Sequence, residues 1–192
     1  MTHQNKTVDL VTKAISFAAE RHAQAEKPYR KGTNIPYIFH PVNAGKILSE
    51  LGAPDNLVVA AILHDLLEDT ETTLGEIDQN FGAEVAELVQ NVSEPEHGKK
   101  AWRERKQHTI ERLKTAEPDV LKVACADKID NIQAIRRDYE QIGEELWKRF
   151  NASKEDQSWY YQTLSDIFTE RGDDEISRAL SARFAEEVNK TN

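Results

Sequence analysis

The chain has 192 residues, 39 % of them hydrophobic and 31 % charged, with only 8 glycines and 6 prolines and a formal net charge of −9. This suits a helical globular protein with a substantial core and excludes a disordered chain or a turn-rich β-sandwich. The acidic balance argues against broad nucleic-acid binding, which depends on neutralising phosphates, but leaves room for a small anion in a local basic pocket. No apolar run reaches the roughly 18–20 residues that span a bilayer, and the start Met1-Thr2-His3-Gln4 lacks a signal-peptide core, so a cytoplasmic protein is expected. The single cysteine, Cys125, allows no intrachain disulfide and reads as a buried thiol in a reducing compartment.

Along the chain the pattern is helical. Residues 7–25 carry Val8, Val11, Ala14, Ile15, Phe17, Ala18 and Ala19 at broadly helical spacing. A polar connection from Glu26 to Pro41 follows, ordered by Gly32, Pro36 and Pro41 in its later part, and Pro41 suits the first turn of a helix over 41–51 that stops near Gly52. The next helix, 55–68, has Asp55 as its expected cap. Thr73 and Glu76 have capping-box spacing, starting a short helix that ends near Phe81-Gly82. A helix over 83–91 leads into a loop from Asn91 to Gly98. Helices over 101–115 and 118–137 come next, then tail helices over 139–149, 154–170 and 174–188, with a capping signal from Ser153 to Asp156 and a break at Gly172. No repeat or linker interrupts this order. The expectation is one all-α domain over 1–192, its core at about 8–137 and extra C-terminal helices at about 139–188.

Within the helix over 55–68, His64, Asp65, Glu68 and Asp69 place one imidazole and three carboxylates in an otherwise apolar stretch. Unpaired ionisable groups are costly to bury, so such a cluster usually binds a metal or moves protons. Helical spacing of four sets His64 with Glu68 and Asp65 with Asp69 on one face. The bland alternative is a hydrogen-bonded core histidine followed by a solvated helix end. Two residues elsewhere favour the metal: His40, fixed before a proline at a loop-to-helix junction, and Asp127, which interrupts the apolar stretch Ala124-Cys125-Ala126 with Asn131 one turn later. His40, His64, Asp65 and Asp127 make a two-nitrogen, two-oxygen set that suits manganese, iron or zinc rather than calcium. For Asp127 an ordinary pairing with Lys128 or an arginine is the alternative. His3, His22, His97 and His108 lack such company and read as structural or solvated, His22 among the charges of a helix face.

His40, the adjacent His64-Asp65 and the distant Asp127 resemble the His…His-Asp…Asp signature of the HD phosphohydrolase superfamily. Pro36-Tyr37-Ile38-Phe39-His40-Pro41, Leu63-His64-Asp65-Leu66-Leu67-Glu68-Asp69-Thr70, Phe81-Gly82 and Ala126-Asp127-Lys128-Ile129-Asp130-Asn131 are further similar to the hydrolase domain of Rel/Spo-type alarmone enzymes, especially the stand-alone small alarmone hydrolases. The resemblance covers about residues 8–137, and Trp147 to Leu164 also looks like bacterial members. It implies an HD-domain helical bundle, a divalent cation, Mn²⁺ foremost, and hydrolysis of guanosine 3′,5′-bis(diphosphate) (ppGpp) to GDP and pyrophosphate. Phe39, Val92-Ser93-Glu94-Pro95 and Asp130 depart from the pattern and leave the preferred nucleotide open. No synthetase-like segment fits in the remaining residues.

On this reading the cation activates water, Glu68 and Asp69 order it and manage its proton, and Asn131 orients an oxygen near the metal. Arg30 and Lys31 match the family's basic pair near the nucleotide, a guanidinium stacking on a base and a lysine meeting phosphate; a solvated loop is the plain alternative. Lys99, Lys100, Arg103, Arg105 and Lys106 offer a second basic group beside Trp102, which marks a mobile flap, while Trp147, Trp159, Tyr160 and Tyr161 read as packing. Two competing functions keep their place: an HD-type nucleotidase or pyrophosphohydrolase for another nucleotide, and an inactive nucleotide-sensing helical protein. The expected partner is a small nucleotide, with no nucleic acid or membrane; oligomeric state is left open.

Overall fold

The computed structural model describes residues 3–93 and 101–191, with side chains from residue 10 onward. Among the described residues it is built from helices, with no strand and one isolated bridge between Tyr29 and Pro36. The chain divides into two compact units, residues 1–95 and 96–192.

The first unit contains α1 (His3–Gln24), α2 (Phe39–Glu50), α3 (Asp55–Leu63), α4 (Leu66–Asp69), α5 (Leu74–Phe81) and α6 (Ala83–Val92). Its centre is α3. Every residue from Leu57 to Leu63 is buried, so this helix has no solvent face and must be enclosed by neighbours; α1, α2 and α6 enclose it. Gly45 permits the closest approach. A Cβ there would sit 2.6 Å from Ile62 Cγ1 and 3.1 Å from the Val58 carbonyl, so α2 rides against α3 only because the side chain is missing. The α2–α3 turn uses Gly52 at φ 72°, a left-handed value that favours glycine. The expected capping box closes the start of α5, with Thr73 Oγ1 accepting from the Glu76 N–H and the Glu76 carboxylate accepting from the Thr73 N–H at 2.9 Å.

The second unit holds α7 (Trp102–Thr115), α8 (Pro118–Ile142), a 3₁₀ segment (Gly143–Arg149), α9 (Lys154–Arg171) and α10 (Glu175–Thr191). Long α8 packs against α10, α9 and the 3₁₀ segment, and α7 packs against α9. Pro118 opens α8 where a missing N–H costs nothing, and Ser153 caps α9 by accepting from the Asp156 N–H at 3.1 Å. The expected break after 137 is absent. α8 runs on to Ile142, supported by an Arg136–Glu140 pair at 2.7 Å, and ends at Gly143, φ 59°. The segment expected as a helix over 139–149 is therefore the end of α8 plus a 3₁₀ stretch. Cys125 is buried as expected, and burial pushes its thiol well up. No helix among the described residues is long and apolar enough to cross a membrane.

Candidate metal centre

The helix expected over 55–68 is broken at the pair that matters most. Leu63 ends α3, His64 and Asp65 form a turn, and α4 is a single turn from Leu66. Asp65 sits at φ −89°, ψ −4°, the bridge region where turn and active-site residues often lie. The Glu68 N–H donates to the Asp65 carbonyl at 3.2 Å rather than to His64. The His64 carbonyl instead lies 3.1 Å from Ser93 Oγ, at the end of α6. Ser93 Oγ lies closer still, at 2.8 Å, to the Val89 carbonyl of its own helix, so its single proton is divided between a local and a long-range acceptor. The break falls between His64 and Glu68, whereas Asp65 and Asp69 keep the helical bond expected of them, the Asp69 N–H donating to the Asp65 carbonyl at 2.9 Å.

The turn brings His64 and Asp65 to His40. His40 is in the first turn of α2, one residue inside rather than before it. One donor atom from each of His40, His64 and Asp65 lies within 4.8 Å of the others. Both imidazoles are buried, with Asp65 nearly so, and their rings meet edge to face at 5.2 Å. His64 Nδ1 is 2.8 Å from the Ala61 carbonyl, which can only accept, so Nδ1 carries the proton and Nε2 presents a lone pair. That Nε2 faces Asp65 Oδ1 at 3.0 Å, and His40 Nε2 faces Asp65 Oδ2 at 3.4 Å. Lone pairs at such distances need a cation between them, either a proton or a metal ion. The donors are right for a borderline divalent ion, and the backbone carbonyl behind His64 supplies the orienting contact that metal-binding histidines use. The three residues therefore fit a divalent metal.

Electrostatics agree. Burial pushes the Asp65 carboxyl up, but the His64 and His40 imidazoles beside it overcome that and hold it well below the usual carboxylate range. The group is a carboxylate throughout the physiological range.

Two neighbours were missed in the sequence. Tyr37 donates its hydroxyl to Asp65 Oδ2 at 2.7 Å. His22, expected among helix-face charges, is 2 % exposed and packs its ring on Tyr37 at 4.9 Å. Burial lowers its pKa from 6.5 to about 4, so it is neutral at pH 7. A signal for His22 was available: Ala14, Ala18 and His22 are spaced by four, and both alanines are fully buried. Extending that stripe one turn puts the histidine inside.

Glu68 is half-buried and Asp69 exposed, on the one-turn α4 directly after the ligand pair. Arg30 and Lys31 stand at a tight loop tip closed by the Arg30 N–H to Ile35 carbonyl bond at 2.9 Å and by Gly32, φ 73°. In the second unit, Asp127 is buried on α8. It accepts from Lys128 Nζ at 2.6 Å and from Asn131 Nδ2 at 2.6 Å, confirming that Asp127 and Asn131 share a face. Lys99, Lys100 and His97 lie outside the described residues. Arg103 stacks over Trp159 at 4.2 Å and pairs with Asp156, so Trp159 takes part in packing the second unit as expected, and Trp102, read as the mark of a flap, meets Tyr160 edge-on at 5.9 Å.

An all-helical chain with adjacent His-Asp in a buried turn and a second histidine beside it defines an HD-type metal centre. The family model described as HD domain matches residues 14–158, across both units, and the chain belongs to that family. It is 40 % identical over 126 residues to the human and mouse guanosine-3′,5′-bis(diphosphate) 3′-pyrophosphohydrolase MESH1, covering 65 % of this chain and 68 % of each relative. It is 35 % identical over 138 residues to the guanosine-3′,5′-bis(diphosphate) 3′-pyrophosphohydrolase of Aquifex aeolicus, covering 70 % of this chain but only 19 % of that longer protein. Among solved structures, lmo0812 from Listeria monocytogenes superposes with a TM-score of 0.69 at 34 % identity, covering 78 % of this chain and 96 % of that one. A metazoan SpoT ortholog that hydrolyses ppGpp shares the fold, with a TM-score of 0.71 at 23 % identity over 92 % of this chain and 94 % of that one.

Proposed function

We propose that this chain is a metal-dependent hydrolase that removes the 3′-diphosphate of ppGpp, releasing pyrophosphate and GDP and so degrading the alarmone. The observation that carries the reading is the His40, His64, Asp65 trio, with donor atoms within 4.8 Å and the His64 lone pair turned toward Asp65. The names of the relatives supply the substrate. Asp127 is proposed as the fourth ligand on the ordered sequence pattern and on a family match that runs through residues 14–158 as one domain. Mn²⁺ is the proposed ion, since mixed imidazole and carboxylate donors with room for water suit it.

When bound, the ion supplies charge for the phosphoryl oxygens and an acidified water. The chain's residues do the rest. Glu68 and Asp69, at the end of the turn that carries the ligands, accept and return the water's proton. Asn131 holds a ligand or substrate oxygen through the amide that here contacts Asp127. Arg30 and Lys31, at their loop tip, bind the nucleotide by guanidinium stacking and a phosphate contact. The test is product analysis with metal-stripped protein, re-supplied with single divalent ions and a nucleotide panel. Pyrophosphate released preferentially from ppGpp with Mn²⁺ supports the reading. Equal turnover of nucleotides lacking a 3′-diphosphate overturns it.

A further inference from the structure

We propose that Tyr37 is a positioning residue for Asp65, setting the orientation of that carboxylate toward a bound cation, and that the buried ring of His22 holds Tyr37 in place. The inference rests on the metal-site reading above and adds residues outside the ligand set.

Asp65 is the hub of the trio. One oxygen faces His64 at 3.0 Å and the other faces His40 at 3.4 Å, so rotation of the carboxylate would misplace both pairings at once. Tyr37 controls that rotation. Its hydroxyl donates to Oδ2 at 2.7 Å, a charge-assisted bond of the stronger kind. A phenol donates a single proton, so this bond commits it to Asp65. Oδ1 is left as the oxygen without that donor and free to give its electron pairs to an ion.

Tyr37 in turn needs fixing, because its surroundings are not close-packed. A cavity of about 250 Å³ borders its ring, lined also by Ala19, His22, Pro28, Tyr29 and Pro36. Packing alone would let the phenol swing into that space. Among the contacts that oppose this are the Tyr37 N–H to Pro28 carbonyl bond at 2.8 Å, the His22 ring at 4.9 Å, tilted 41°, and the His40 ring, edge-on at 5.7 Å. His22 is suited to this backing role. Both of its ring nitrogens are enclosed without a hydrogen-bond partner, so it neither competes for the Tyr37 hydroxyl nor binds the carboxylate itself. The arrangement is a relay from α1 through the loop to the ligand turn, and it differs from an ordinary core contact because its end point is a ligand oxygen.

The experiment measures Mn²⁺ affinity of metal-stripped protein by calorimetry, together with the absorption spectrum of the Co²⁺ form, for wild type and four variants. Tyr37→Phe keeps the ring and removes only the donor. It should bind Mn²⁺ about 10–100-fold more weakly, the usual cost of losing an outer-sphere partner, and shift the Co²⁺ bands. His22→Phe keeps a ring behind the phenol and should bind Mn²⁺ as wild type does. Tyr139→Phe removes a phenol–carboxylate bond to Glu144, 2.7 Å long and in the other unit, and should change nothing. His64→Ala reports on the site itself. If His64→Ala abolishes binding while Tyr37→Phe binds like wild type, the positioning role is wrong and the metal site stands. A loss in His22→Phe as large as in Tyr37→Phe overturns the backing role of His22. If His64→Ala binds as wild type does, the ligand reading fails, and the role of Tyr37 with it.

Discussion

The contact between α2 and α3 offers a sharp test of how packing sets the site, through the substitution Gly45→Ala. Taken alone, the change favours a helix by about 1 kcal/mol, because glycine loses more backbone freedom than alanine. The structure opposes that gain. The new Cβ would lie 2.6 Å from Ile62 Cγ1, 3.1 Å from Ile62 Cδ1 and 3.1 Å from the Val58 carbonyl, against an optimal carbon–carbon separation of about 3.5–4.0 Å. Ile62 is buried and the carbonyl belongs to a helix backbone, so neither yields without cost. Relief requires α2 to shift by about 1 Å or Ile62 to leave its rotamer, and overpacking of this kind costs about 1–3 kcal/mol. The net expectation is a loss of up to about 2 kcal/mol, a fall in melting temperature of about 2–4 °C per kcal/mol for a chain of this size. There is a functional consequence too. His40 rides on α2, whereas His64 and Asp65 follow α3, so separating the helices spreads the donor trio and should weaken binding of a divalent ion there, for which Mn²⁺ is the probe. Thermal denaturation of the metal-free protein and calorimetric Mn²⁺ titration measure the two effects. Ile62→Ala removes the atoms responsible for the closest contact, so the double variant should be less destabilised than the sum of the singles by about 1 kcal/mol. A Gly45→Ala protein as stable as wild type, with unchanged Mn²⁺ affinity, would refute the reasoning.

Other expectations follow from the site. The double amide Glu68→Gln, Asp69→Asn should keep Mn²⁺ and nucleotide yet lose turnover by about a hundredfold or more, so wild-type pyrophosphate release would remove the proton-transfer role from these carboxylates. Arg30→Ala should raise KM for ppGpp with little change in kcat; the opposite pattern, measured in steady state, would place Arg30 in the chemical step instead. His22 predicts a pH dependence of stability in the metal-free protein. With its pKa lowered from 6.5 to about 4, the unfolded chain takes up a proton below pH 6.5 while the folded chain resists until about pH 4. Stability contributed by neutral His22 is therefore complete above pH 6.5 and lost on acidification across that window, by up to about 3 kcal/mol. His22→Phe should flatten that part of a denaturation-against-pH profile; an unchanged slope would assign it to other groups.

Much of the fold was legible in the chain because it is set by neighbours in sequence. The Thr73–Glu76 box, the Ser153 cap, Pro118 at the start of α8 and the Gly52 turn all act within a few residues, and each stands where the pattern puts it. His64 and Asp65 were legible for a chemical reason, since ionisable groups in an apolar stretch are costly unless they share a cation, and His40 for its place before Pro41 at the junction of a loop and a helix. What lay beyond the sequence was decided by contacts between distant residues. The helix over 55–68 is interrupted at His64 and Asp65, where the Glu68 N–H turns to the Asp65 carbonyl and the His64 carbonyl meets Ser93 Oγ, 29 residues on. Local propensity favours an unbroken helix there, and the pattern along the chain carries no sign of that distant contact. The link from Tyr37 to Asp65 spans 28 residues, and no spacing rule along one helix or strand connects them. Periodicity along one element can report which face turns inward, as the Ala14, Ala18, His22 stripe does. What that face then meets depends on what packs against it, and for the buried His22 ring that is Tyr37, whose hydroxyl reaches Asp65.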